Sequence, residues 1–251
     1  MCAPRYMAAC DSIGPMLLRN AVAFTRTRAI LIVFISALVL VPCFWHRRIE
    51  AGDLPSHTYN AWLAHLIKKG QAPGLYIEWR WTNVLADIVL EKLGGVVGFI
   101  DAERVVVAMS VLLFFWGAFT FVSVANGRSP WFLTPAIAMI TYGWTFYAGF
   151  LNFYISLGLT FFALALFWRG SRPDQLVGGL LGVLALLAHP LGFACLVSLA
   201  GYLVLAERLV GWKRWGLWAV AFLVGVAFHF CSIRLGGDAW HTKDFFFYER
   251  L

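Results

Sequence analysis

Val105-Val-Val-Ala-Met-Ser-Val-Leu-Leu-Phe-Phe-Trp-Gly-Ala-Phe-Thr-Phe-Val-Ser-Val-Ala125 contains no charged residue. A helix rises about 1.5 Å per residue, so a run of this length matches the roughly 30 Å hydrocarbon core of a bilayer. Further apolar runs occupy 29–44, 131–168, 176–206 and 217–233. The run at 131–168 is predicted to turn near Gly149-Phe-Leu-Asn152, and that at 176–206 to turn at His189-Pro190. Asn126-Gly-Arg-Ser-Pro130 and the polar segments 169–175 and 207–215 separate them. The pattern predicts an all-α, polytopic membrane helical bundle of about seven transmembrane helices.

Composition points the same way. Of 251 residues, 61% are hydrophobic and 13% charged, and mean hydropathy is +0.75. Soluble domains carry about 45–50% apolar and about 25% charged residues. The net charge of +7 would suit a nucleic-acid partner. Its basic residues, however, cluster between apolar runs, which is how membrane topology is encoded, so no nucleic acid is expected. The cysteines at 2, 10, 43, 195 and 231 show no metal-ligand spacing and predict neither a zinc site nor a disulfide framework.

Residues 45–104 are different, for they carry fourteen charged side chains, from Arg47 to Arg104. No ordinary span tolerates that. Two helices are predicted there, at 54–69 and 83–97, separated by the turn Gly70-Gln-Ala-Pro-Gly74 and lying on the membrane surface. Placing the N-terminus in the cytoplasm gathers Arg5, Arg19, Arg26, Arg28, Arg128, Arg169, Arg172, Arg208, Lys213 and Arg214 on that side. The turns 149–152 and 189–190 carry no Lys or Arg. This is the positive-inside pattern. The expected layout is a cytoplasmic segment 1–28, a first transmembrane helix 29–46 and an extracytoplasmic loop 47–104 with two juxtamembrane helices. A six-helix membrane bundle 105–233 and an extracytoplasmic tail 234–251 complete it.

Chemistry concentrates at the start of the loop. At about 100° per residue, Asp53, His57, Asn60 and Ala64 fall on one helix stripe. Tyr59, Trp62, Leu63 and Leu66 fall opposite, suited to lipid or to the bundle, so the polar stripe is expected to face an outward cavity. A carboxylate beside an imidazole can act as a general base or as two ligands of a divalent ion. The plainer alternative is that Asp53 caps the helix and Gly70 stops it. His189 is expected near the outer membrane surface, as a functional ionisable group or as a turn residue before the helix-starting Pro190. Arg80, within Trp79-Arg-Trp81, and Arg104 are candidate phosphate contacts, or interfacial anchors. There is no phosphate-cradling glycine loop, nucleophile elbow or zinc-protease helix.

This order of features resembles the GT-C superfamily of integral-membrane glycosyltransferases, over roughly residues 29–233. Gly52-Asp-Leu-Pro-Ser-His57 resembles the acidic start of that family's first outer loop. Phe150-Leu-Asn-Phe153, Leu157-Gly-Leu159 and Ala188-His-Pro-Leu-Gly192 look like the membrane bundle of bacterial relatives. The resemblance implies a multi-pass protein of the bacterial inner (plasma) membrane, with membrane lipid and a polyprenyl-phosphate-linked sugar donor as partners. It implies Asp53 as general base or metal ligand and His57 as a neighbour to metal or phosphate. Asn60, Arg80, Arg104 and His189 would then contact substrate, and the divalent cation it admits is Mg or Mn. The sequence departs from the family at 53–55, where Leu54 and Pro55 follow Asp53 in place of a strict Asp-x-Asp, and family members usually have more spans. A non-enzymatic lipid-transport or assembly subunit, or an inactive fragment of a glycosyltransferase, is the alternative expectation.

Overall fold

The computed structural model describes residues 16–239 apart from Arg47 and Trp79, with the backbone alone at 16–27, 169, 207, 214, 225 and 228–239. Residues 1–15 of the expected N-terminal segment, Trp79 of the expected anchor and 240–251 of the expected tail lie outside it. Among the described residues every regular element is helical. The elements are α1 (Met16–Trp45), α2 (Leu54–Lys68), α3 (Leu85–Val97), α4 (Phe99–Asn126), α5 (Thr134–Thr141), α6 (Trp144–Tyr147), α7 (Leu151–Arg169), α8 (Arg172–Ala188), α9 (Pro190–Arg208) and α10 (Trp212–Ala239). A 3-10 turn, Trp131–Leu133, leads into α5.

Local chemistry sets several boundaries. Pro55 sits in the first turn of α2, where its missing N–H costs no helix bond. The two loop helices fall within two residues of the predicted 54–69 and 83–97. The polar segment at 169–175 is largely helix rather than loop. Ser171 donates from N and Oγ to Asp174 Oδ2 at 2.9 and 2.7 Å, a capping box that opens α8.

The expectation of about seven spans does not hold. Among the described residues, three helices are long and apolar enough to cross a membrane: Arg28–Trp45 within α1, Phe99–Asn126, and Leu151–Trp168 within α7. The apolar stretches of α9 and α10, Pro190–Ala206 and Trp215–Val224, are shorter. The first limb of the 131–168 hairpin is broken into a 3-10 turn, α5 and α6. Pro135 opens α5, whose eight residues reach only about 12 Å and end at the cap residue Tyr142, and Gly143 is the extended cap of α6. Hydropathy averaged over the run does not register such interruptions.

α4 and α7 form the most extensive interface. Phe114 stacks on Tyr154 at 4.7 Å, Gly117 faces Gly158, and Phe121 stacks on Phe161. Contacts therefore advance together, and α4 and α7 run in the same direction. The connection 127–150 must return along the bundle, and it does so through the broken segment. Trp131 packs on Phe119 of α4, Tyr142 donates to the Val39 carbonyl of α1, and Gly52 N reaches Tyr147 O at 2.9 Å. α8 runs back against α7, with Ser156 Oγ donating to Ala185 O at 2.7 Å. α9 turns again, with Thr160 Oγ1 donating to Gly192 O at 3.0 Å. α1 is clasped to α4 by Trp116 Nε1 donating to Ser36 Oγ at 2.9 Å and by Arg104 donating to His46 O at 2.8 Å.

One end of this unit thus gathers the end of α1, the starts of α2, α3, α4, α7 and α9, and the end of α8. The outward faces elsewhere are apolar: Ile30 of α1 is 89% exposed and Leu176 of α8 is 73% exposed. Such faces suit lipid rather than water. With the three long apolar helices, they mark the chain as a candidate membrane protein. The described residues from Gly201 to Ala239 belong to a second compact unit, in which the rings of Tyr202 and Trp218 meet edge-on at 5.8 Å.

Candidate functional site

The segment entering α2 is fixed by its backbone. Gly52 N and Asp53 N donate to Tyr147 O and Ala148 O, both at 2.9 Å. Gly149 makes this approach possible. Its φ is +75°, and a Cβ there would lie 2.4 Å from Asp53 N.

Asp53 occupies the N-cap position of α2 but makes no side-chain cap hydrogen bond. Its backbone carbonyl, not its carboxylate, takes the N–H groups of Ser56 and His57. The half-exposed carboxylate instead lies 3.6 Å from Nε2 of His57, one turn on. His57 is buried, and its Nδ1 is 2.8 Å from Asp87 Oδ1 on α3. Asp87 Oδ2 in turn accepts from Asn152 Nδ2 of α7 at 2.8 Å. One imidazole therefore lies between two carboxylates, the outer one exposed and the inner one anchored. Burial opposes the charged ring. The hydrogen bond and charge of Asp87, with the charge of Asp53, outweigh it and hold the His57 pKa above the ordinary histidine value.

A second ionic rung lies further along the same two helices. Lys68 Nζ donates to the buried Glu91 at 2.7 Å, and His65 Nδ1 is 3.5 Å from its other oxygen. The Lys68 hydrogen bond, against burial, holds Glu91 below the usual carboxylate range. Thr58 Oγ1 donates to Glu103 of α4 at 2.6 Å.

Of the expected polar stripe, His57 packs on α3, whereas Asp53 and Asn60 are exposed. Of the face expected on lipid or on the bundle, Tyr59 and Trp62 are 57% and 41% exposed and Leu63 and Leu66 are half-buried. The physical reason is complementarity: His57, His65 and Lys68 fall within about 80° on α2, and Asp87 and Glu91 lie about 40° apart on α3. These matching stripes were the available signal for Asp87. Asn152 and Gly149 read from sequence only as turn residues.

Of the remaining candidates, Asn60 is exposed on α2 and stands outside the cluster. Arg80 is exposed in the segment between α2 and α3 and lies 3.5 Å from Glu78. Arg104 is held at the end of α1 by the His46 carbonyl. His189 caps the joint of α8 and α9 at the same end of the unit. Its Nδ1 accepts from Leu191 N at 3.1 Å, and its ring packs edge-on against Phe153, next to Asn152. Burial alone lowers its pKa.

Asp53 and His57 offer two donors, and among the described residues no three His, Cys, Asp or Glu side chains converge on one point. Compared with family models, curated proteins and solved structures, the chain matches none.

Proposed function

We propose that this chain transfers a sugar from a polyprenyl-phosphate-linked donor to an acceptor hydroxyl at the extracytoplasmic membrane face, with Asp53 as general base. The observation that carries this reading is the state of the Asp53 carboxylate. It sits at a helix start, makes no cap hydrogen bond, and faces an imidazole held from behind by Asp87. Capping alone would not leave it so.

In the proposed step the acceptor hydroxyl gives its proton to Asp53. The acceptor oxygen bonds to the anomeric carbon as the bond from that carbon to the phosphate oxygen breaks. The bonding pair leaves with polyprenyl phosphate. Arg80, exposed and only loosely paired with Glu78, supplies a cation toward the leaving phosphate. Ala51, Leu54, Phe146, Phe150 and Tyr154 line a small, mostly apolar crevice at the entry to α2. The orientation draws on charge: Arg128 and Arg172 belong to the end opposite the site, where the positive-inside rule places the cytoplasm.

The test uses purified full-length protein in lipid nanodiscs with a panel of polyprenyl-phosphate-linked hexoses and pentoses, labelled in the sugar. The native protein should consume one of them with release of polyprenyl phosphate, and Asp53→Asn should slow this by about 100-fold or more. Full activity in Asp53→Asn would remove the base assignment. A transport role draws on the interrupted return at 131–148, since broken helices mark many carrier sites. Movement of an intact lipid-linked sugar across a bilayer, without transfer, would favour it.

A further inference from the structure

We infer that Asn152 is a positioning residue of this site: from α7 it fixes Asp87 and, through Asp87, decides which nitrogen of His57 carries the proton and which stands bare toward Asp53. The inference rests on the reading of Asp53 and His57 as the reacting pair.

Asn152 is 1% exposed. Its Oδ1 accepts from Ala86 N at 2.7 Å, in the first turn of α3. Its Nδ2 donates to Asp87 Oδ2 at 2.8 Å and to Asn83 O at 3.1 Å. A backbone N–H can only donate and a backbone carbonyl can only accept, so these two partners fix which way the amide points. Asn83 itself has φ 60°, a left-handed conformation that asparagine tolerates, and its carbonyl is met by the amide.

The consequence passes outward by the same donor logic. With Oδ2 of Asp87 taken by the amide, Oδ1 receives His57 at 2.8 Å. A carboxylate accepts only, so Nδ1 carries the proton. When the ring is neutral, Nε2 is then the bare nitrogen, and Nε2 is the atom 3.6 Å from Asp53. Three helices far apart in sequence converge to set one tautomer. A cap for α3 would need only the bond to Ala86 N, so the clamp on Asp87 is additional.

The experiment reads that tautomer directly. Full-length protein in nanodiscs is labelled with nitrogen-15 histidine and observed above the imidazole titration range, with His57 assigned by its absence in His57→Gln. The native protein should show His57 as the single Nδ1–H tautomer. Asp87→Asn, whose amide can donate to Nδ1, should convert it wholly or largely to Nε2–H. Asn152→Asp keeps an acceptor for Ala86 N and removes both donors, and it should lose the single tautomer. Asp53→Asn should leave the native tautomer in place. An Nε2–H tautomer in the native protein, or an unchanged tautomer in either Asp87→Asn or folded Asn152→Asp, overturns the inference. Asp87→Asn leaves α7 unaltered, so this arm stands even if Asn152→Asp does not fold. No sugar enters the measurement, so failure of the transferase reading is seen separately.

Discussion

Two interfaces at neighbouring places in this chain are built on opposite terms. α4 and α7 meet through glycines and stacked rings, with Gly117 against Gly158 and Phe114 on Tyr154. α2 and α3 meet through ionisable pairs, with His57 on Asp87 and both Lys68 and His65 on Glu91. The first interface depends on volume and is indifferent to protons. The second depends on protonation and on partners that reach it from a third helix. Shape holds the frame of this protein, and charge holds the layer that carries its candidate chemistry.

The largest effect is expected from breaking the apolar interface. A Cβ at Gly158 would meet Leu113 Cγ at 2.9 Å and Phe114 N at 3.0 Å. Gly158→Val should therefore destabilise the protein by about 3 kcal/mol, as overpacking of a tight core does. Thermal unfolding in detergent should show this at every pH. Next comes Asn152→Ala, which leaves Ala86 N and Asp87 Oδ2 without their buried partner. The expected loss is about 2 kcal/mol.

The polar layer should respond to pH on two flanks. His57 is raised in the folded state, so its contribution is complete below the unfolded value and is lost as pH rises through the folded one. Glu91 is lowered, so its contribution is present above the unfolded value and is lost as pH falls through the folded one. Unfolding midpoints should decline on both sides of a plateau. His57→Gln should flatten the alkaline limb and Glu91→Gln the acidic limb, each a smaller change than Gly158→Val. If both variants keep the native profile, the charged layer does not hold α2 to α3.

This division explains what the sequence disclosed. The unbroken apolar runs within α1, α4 and α7 are local and uniform, so length and hydropathy located them. The bounds of α2 were also local, marked by Asp53, Pro55 and Gly70. The interruption between Thr141 and Leu151 was not legible as broken helix, because Trp144 and Phe150 are as apolar as residues inside a span. Asp53 and His57 lie one turn apart, and their spacing exposed them. Their supports lie 30 and 65 positions from their partners, as Asp87 from His57 and Asn152 from Asp87, and no local pattern joins them. The hydrogen bond from Arg104 to the His46 carbonyl spans 58 positions, and no local pattern shows it either.

The central claim is that Asp53 and Asp87 share one imidazole, and titration of His57 by nuclear magnetic resonance tests it most directly. The native midpoint should lie above the ordinary histidine value of about 6.5. It should fall in Asp53→Asn and fall further in Asp87→Asn, because Asp87 hydrogen-bonds the ring at 2.8 Å while Asp53 stands at 3.6 Å. A native midpoint at or below the ordinary value, or one that neither substitution moves, would contradict the account.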